Sequence, residues 1–141
     1  MKTLKIATIP GDGVGKEIMP EAVRVLEKVA EVHGGLKFEF TEFPYSCDYY
    51  LEHAVMMPDD CLDRSRQFDS IFLGAVGDAS KVPDHISLWG LLLKIRKEFQ
   101  QEINIRPAKL FKGIEPKLSN RDPFDMVIVR ENSEGEYSSI G

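Results

Sequence analysis

Leu4-Lys5-Ile6-Ala7-Thr8-Ile9-Pro10-Gly11-Asp12-Gly13-Val14-Gly15-Lys16-Glu17-Ile18 is the stretch that decides how this 141-residue chain folds. Leu4 to Pro10 is a short apolar run with β-branched residues, the pattern of a buried strand. Gly11, Gly13 and Gly15 then make a tight loop. Downstream, Ile18, Ala22, Val23, Leu26, Val29 and Ala30 recur at spacings of three and four, as on the apolar side of a helix. Pro20 falls near that helix's start, where a missing N–H costs little, and His33-Gly34-Gly35 ends it. Between Lys37 and Phe43 the aromatics Phe38, Phe40 and Phe43 interleave with polar residues, so a second strand with one buried face follows. Strand, glycine turn, helix and strand open an α/β domain.

Outward from that unit, Ser46 to His53 reads as a short helix. Asp59 or Asp60 caps another that runs to about Phe68. Asp69 to Val76 is apolar enough for the centre of a sheet and breaks into a polar loop, Gly77 to Asp84. In the next helix Leu88, Leu91, Leu92, Ile95 and Phe99 share one face at about 100° per residue. Trp89 and Arg96, seven residues apart, lie within roughly 20° of each other on its edge. They are either the wall of a pocket or a packed tryptophan beside a snorkelling arginine, and periodicity alone favours packing. A strand from Glu102 to Lys109 ends at or just after Arg106-Pro107, and a surface loop occupies Lys112 to Pro123. Asp125 to Arg130 is a further strand, Glu131 to Gly135 a turn, and Tyr137 begins the next strand.

Apolar residues make up 43% and charged residues 29%, the balance of a globular domain. A net charge of −5 without a basic cluster excludes a general nucleic-acid binder but leaves room for a small anion held by a few cations. Cys47 and Cys61 are too few for a disulfide framework or a zinc site, so two reduced cysteines in a cytoplasmic protein are expected. Met1 to Ile6 has no signal-peptide character, and no apolar run approaches the ~20 residues of a membrane span. Ser138-Ser139-Ile140-Gly141 follows a strand and a turn, as though the chain stops in mid-domain.

Backbone N–H groups of the glycine loop, between a strand and a helix, are placed to meet a phosphate or a ring. Lys16 stands where a dinucleotide fingerprint has its third glycine, and no Gly-Lys-Ser/Thr follows, so a structural turn is the better-supported reading. Arg96, Arg106 and Arg130 fall at a helix end and at strand ends, where α/β sheets bind ligands. Converging on one spot they would grip a carboxylate bidentately; dispersed, they would form surface ion pairs. Tyr137, beside arginines, would have a lowered pKa and serve as an acid or base, or else it is a half-packed strand residue. Glu131, Glu134 and Glu136 have no metal-ligand spacing, and His33, His53 and His85 form no motif.

The chain resembles the β-decarboxylating dehydrogenases, which include the isocitrate, isopropylmalate, tartrate and D-malate enzymes. Ile9-Pro10-Gly11-Asp12-Gly13-Val14-Gly15-Lys16-Glu17 is similar to their N-terminal signature. Ile95-Arg96-Lys97, Ile105-Arg106-Pro107 and Val129-Arg130-Glu131-Asn132 match their three substrate arginines. Asp48-Tyr49-Tyr50, Met56-Met57-Pro58, Gly74-Ala75-Val76-Gly77 and Val82 to Gly90 resemble the D-malate and tartrate branch. The resemblance implies an isocitrate/isopropylmalate dehydrogenase-like α/β fold rather than a Rossmann fold, incomplete in this chain. Residues 1–100 would belong to the large cofactor-side domain and 101–141 to the start of the small substrate and dimerisation domain. It implies that Arg96, Arg106 and Arg130, with Leu92, bind a small dicarboxylic 2-hydroxy acid and that Tyr137 protonates the enol carbon after carbon dioxide leaves. Val14, Val76, Gly77, Asp78, Ser87, Leu88 and Trp89 would border the nicotinamide of NAD. The ligands of Mg²⁺ or Mn²⁺, the catalytic lysine and the adenosine loop would lie beyond Gly141, with no metal residue in this chain. The expected function is NAD- and metal-dependent oxidative decarboxylation of D-malate or tartrate by a cytoplasmic homodimer when full length, without nucleic-acid or membrane partners. The chain alone is expected to be inactive. The alternatives are a non-catalytic dicarboxylate-binding module or isopropylmalate dehydrogenase activity.

Overall fold

β1 (Lys2–Gly11) is the central strand of a three-stranded parallel sheet in which β2 (Leu36–Glu42) lies on one side and β3 (Ser70–Ala75) on the other. The structure, a computed structural model, describes residues 1–116 and 124–135. The register runs Lys2 opposite Leu36 through Thr8 opposite Glu42, and Ile6 opposite Ser70 through Gly11 opposite Ala75. β1, not β3, holds the middle place expected of Asp69–Val76. Ile6, Ala7 and Ile9 are buried, whereas β3 is half-buried along most of its length and pairs with β1 alone among the described residues. An apolar run identifies a buried strand but does not say which of two such strands is flanked on both sides.

α1 (Val14–His33) connects β1 to β2. Gly34 caps it in the left-handed conformation, φ 70°, its N–H donating 3.0 Å to the Ala30 carbonyl. Pro20 does not sit in the first turn as expected, because the helix begins directly after Gly13 and places the proline inside it. The Lys16 carbonyl therefore has no i+4 donor within the helix.

α2 (Cys47–His53) is capped by Ser46, whose Oγ accepts the Tyr49 N–H at 3.1 Å. α3 spans only Cys61–Ser65, shorter than the run to Phe68 that the pattern suggests. Asp60 occupies its N-cap but makes no side-chain cap bond, and Ser65 Oγ donates to the Cys61 carbonyl at 2.8 Å.

The helix expected from Leu88 to Phe99 is not one α-helix. α4 (Asp84–Ser87) leads into a π-helical turn, Leu88–Leu92, and then α5 (Leu93–Glu98). A π-turn takes an extra residue per turn, which breaks the 100° stepping that put Trp89 and Arg96 on one edge. The buried set changes with it. Leu91, Leu93 and Ile95 are buried, while Leu88 and Leu92, assigned to the core face, are half-buried.

The chain divides into two compact units, Met1–Ile95 and Arg96–Gly141. In the second, β4 (Ile103–Lys109) and β5 (Asp125–Glu131) form an antiparallel ladder from Ile103 opposite Glu131 to Lys109 opposite Asp125. β4 runs to Lys109, the end of the expected Glu102–Lys109 strand, and Pro107 within it stands opposite Val127. Each strand of a two-stranded ladder has an outer edge, and proline is tolerated where its missing N–H faces that edge. Tyr137 and the strand expected to begin there lie outside the described residues. No helix among the described residues is long and apolar enough to cross a membrane.

Candidate active site

In the first unit, glycines let the ends of β1 and β3 close on the first turn of α1. A Cβ on Gly15 would collide with the Pro10 carbonyl oxygen and lie 2.6 Å from Ala75 N. One on Gly74 would strike the same oxygen and lie 3.3 Å from Gly15 Cα. Gly11, at φ 76°, turns the chain out of the strand while its Cα abuts the Ala75 carbonyl. Val14, at the start of α1, is 56% exposed and faces no such constraint.

Asp12, inside this loop, was not among the expected site residues. It is 3% exposed. Oδ1 accepts the Cys47 N–H at 2.9 Å and Oδ2 accepts the Gly77 N–H at 3.0 Å, joining residues 35 and 65 positions away. Its own N–H donates to the Ala75 carbonyl at 2.6 Å. The only sequence signal was an aspartate held between glycines of a strand-to-helix turn. Nothing in that pattern reveals which distant N–H groups it meets.

Above this clamp runs a chain of ion pairs. Asp48 takes Lys16 at 2.5 Å and Lys81 at 2.7 Å, and Lys81 also lies 3.7 Å from Asp78. The Lys16 ammonium, with that of Lys81, holds the Asp48 carboxyl at about 2. Asp78 is likewise lowered, chiefly because Ser80 Oγ donates to Oδ1 at 2.5 Å. These pairs are solvent-exposed, so their contribution to stability is modest. The first turns of α1 and α2 and the loop after β3 are nevertheless tied to one another by them.

Val76, half-buried, has its Cγ2 3.1 Å from the point where a Cβ on Gly11 would stand. Gly77 adopts φ 119°, and the nearest atom to a Cβ built there is Ser87 Oγ, 3.8 Å away. The backbone of Gly77 thus lies open to close approach by a flat group, beside fully buried Ser87. In the π-turn, Trp89 is 42% exposed, and Gly90 is pressed on Met56: a Cβ would sit 2.8 Å from Met56 Cγ. Met56-Met57-Pro58 and the block ending in Gly90, separate in the sequence, are therefore one packed unit. Burial, with the Asp12 carboxylate beside it, raises the Cys47 thiol to about 11, and burial also raises that of Cys61. Both cysteines are free and buried, which makes them poor nucleophiles.

In the second unit, the register brings two of the three arginines together. Arg130 stands opposite Asn104, two residues from Arg106 on the same face, so the two arginines are diagonal neighbours. Among the described residues no carboxylate pairs with Arg96 or Arg106. The Arg96 carbonyl accepts the Gln101 N–H at 2.9 Å, and the Gln101 carbonyl accepts Asn132 Nδ2 at 2.9 Å. The turn that carries Arg96 is in this way tied to the end of β5, two residues after Arg130. A cleft of about 440 Å³ beside it is lined by Arg130 with Ile103, Val129 and the carboxylates Glu102, Glu131 and Glu134. Glu131 is occupied locally. It accepts the Ser133 and Glu134 N–H groups at 2.6 and 2.9 Å, and these donors, Ser133 first, lower it to about 2. No three His, Cys, Asp or Glu side chains among the described residues are placed to share a metal ion.

A parallel sheet closed by glycine packing in one unit and an antiparallel hairpin with two arginines on one face in the other define an α/β protein. Residues 5–141 match the family model described as isocitrate/isopropylmalate dehydrogenase. The chain belongs to that family and carries part of its fold. It is 61% identical over 141 residues to the probable tartrate dehydrogenase/decarboxylase of Bacillus subtilis (strain 168), covering 100% of this chain and 40% of that protein. Over 142 residues it is 56% identical to the tartrate dehydrogenase/decarboxylase of Pseudomonas putida, covering 99% of this chain and 39% of that one. It is 54% identical over 144 residues to the decarboxylating D-malate dehydrogenase of Escherichia coli (strain K12), covering 100% of this chain and 40% of that protein. The chain spans about 40% of the length of these relatives.

Proposed function

We propose that this chain supplies the substrate-gripping arginines and the nicotinamide-side segment of an NAD- and divalent-metal-dependent dehydrogenase that oxidatively decarboxylates D-malate or tartrate. The observation that carries the reading is the pairing of Arg106 and Arg130 on one face of β4–β5 with no carboxylate partner for Arg106 among the described residues. A guanidinium fork such as that of Arg106 fits a carboxylate bidentately. Relatives named for tartrate and D-malate, both small dicarboxylic 2-hydroxy acids, support that choice of anion.

In this reading Arg96, Arg106 and Arg130 hold the two carboxylates, and Leu92 limits the third substituent. Val14, Val76, Gly77, Asp78, Ser87, Leu88 and Trp89 face the nicotinamide; the open backbone at Gly77 is what admits a flat ring there. NAD⁺, when bound, would supply the acceptor for the hydride from C2, and with the hydroxyl proton passing to a base outside the described residues the acid would become a keto acid. Carbon dioxide then departs, and Tyr137, outside the described residues, returns a proton to the enol carbon. A divalent cation, when bound, polarises the carbonyl. Among the described residues no three His, Cys, Asp or Glu side chains are placed to hold it, and the reading puts its ligands outside them. The complete polypeptide is proposed to be a cytoplasmic homodimer.

NAD⁺ reduction with D-malate, tartrate or isopropylmalate and Mn²⁺ tests this. A longer polypeptide containing this sequence is expected to turn over D-malate or tartrate, and the 141-residue chain to be silent. Preference for isopropylmalate, or clear turnover by the short chain, would contradict the reading.

A further inference from the structure

We infer that Asp12 is a positioning residue: its buried carboxylate clamps the Gly77 loop to the first residue of α2 and so fixes the nicotinamide-side backbone relative to the glycine turn. Its two oxygens accept N–H groups from two segments at once, Cys47 at 2.9 Å and Gly77 at 3.0 Å. The Asp12 N–H locks the same residue to Ala75 at 2.6 Å, and the Asp12 carbonyl accepts the Gly15 N–H at 2.9 Å, in the first turn of α1. Three segments, the first turn of α1, the start of α2 and the Ala75–Gly77 stretch, therefore meet at one residue that is 3% exposed. Among the described residues no lysine or arginine pairs with it. Its charge is balanced by amide dipoles and by the N-terminal end of the 20-residue α1.

A carboxylate is required here for a geometric reason. Both clamped groups are donors, so both atoms at the end of the side chain must be acceptors. Asparagine would aim its NH₂ at one of the two N–H groups, and alanine would leave both buried and unmet. Gly77 cannot shift to compensate without losing φ 119°, the conformation that turns its backbone outward. The link from this clamp to NAD rests on the reading of Gly77 given above. The clamp itself rests only on the hydrogen bonds.

Hydrogen exchange resolved by residue tests it on the 141-residue chain, in wild type, Asp12→Asn and Cys47→Pro. Ser46 is already extended, φ −170° and ψ 176°, and Cys47 is the first helical residue, so proline fits there and deletes one donor without touching Asp12. Asp12→Asn is expected to raise exchange at the Gly77 and Cys47 amides by about fiftyfold or more, with the β1–β2 ladder at Ile6 and Phe40 unchanged within about threefold. Cys47→Pro is expected to leave most of the Gly77 protection in place, because the carboxylate remains. Should Asp12→Asn fail to fold, loss of Gly77 protection in Cys47→Pro equal to full exposure would overturn the clamp. A uniform rise over the whole unit, or no rise at Gly77, would also overturn it. NADH binding, read by energy transfer from Trp89, the chain's one tryptophan, separates the two layers. Weaker NADH binding in Asp12→Asn supports positioning. Wild type that ignores NADH counts against the cofactor reading of Gly77, and the amide data then decide the clamp alone.

Discussion

The two units of this chain treat apolar residues in opposite ways. In the first, Ile9, Val82, Leu91 and Leu93 are almost wholly buried around a sheet closed by glycine packing. In the second, the β4–β5 hairpin leaves Ile103 and Ile105 66% exposed, and Val127 and Val129 60% and 67%. By the register these four residues share the face opposite to Arg106 and Arg130. A two-stranded hairpin without a covering layer is marginal in water. The contrast is that the first unit encloses an apolar core, while the described hairpin carrying Arg106 and Arg130 buries little of its apolar face.

Substitutions sharpen the contrast. The largest loss is expected at the glycine junction: Gly15→Ala forces a Cβ into the backbone of Pro10 and Ala75, which cannot yield, and should cost about 3 kcal/mol or more in chemical denaturation. Ile9→Ala, in the centre of the sheet, should cost about 2–5 kcal/mol by the same measurement. Gly90→Ala pushes on the Met56 side chain and should cost about 1–3 kcal/mol while shifting Trp89 emission. Combining it with Met56→Ala should restore the emission, and simple additivity would break the claim that the π-turn is wrapped around this contact.

In the hairpin the effects should be smaller. Glu131 is lowered from an ordinary 4.5 to about 2, so its bonds to Ser133 and Glu134 stabilise the turn fully above about pH 4.5 and are lost as pH falls toward 2. Amide shifts of Ser133 and Glu134 should follow that titration, and Glu131→Gln should abolish it. Val129→Ala should change stability by less than about 0.5 kcal/mol, because the side chain is already in water. A loss as large as that of Ile9→Ala would erase the distinction between the units.

Much of this was legible in the sequence. The order strand, glycine turn, helix, strand follows from period-2 and period-3.6 patterns and from Gly34, and each has its counterpart in β1, α1 and β2. The sequence leaves open whether Arg106 and Arg130 converge, because nothing in the pattern says that their strands pair; the register makes them diagonal neighbours, with Arg106 in the middle of β4 rather than at a strand end. The π-turn was not legible. Leu88 to Phe99 fits a continuous helix, and the close approach of Gly90 to Met56, 34 residues earlier, is a long-range contact that periodicity does not carry. Asp12 was missed for the same reason: its partners at Cys47 and Gly77 are distant backbone groups that no side-chain pattern announces. The place of Pro20 was misjudged because α1 starts as soon as the glycine loop ends.

The central claim is that the arginine face of β4–β5 grips a dicarboxylate. Calorimetric titration of D-malate into the wild-type chain and into Arg106→Ala tests it most directly. Saturable binding that weakens by about tenfold or more in Arg106→Ala is the predicted result, since a charge-assisted bidentate contact is lost. Equal affinities in the two proteins would contradict it.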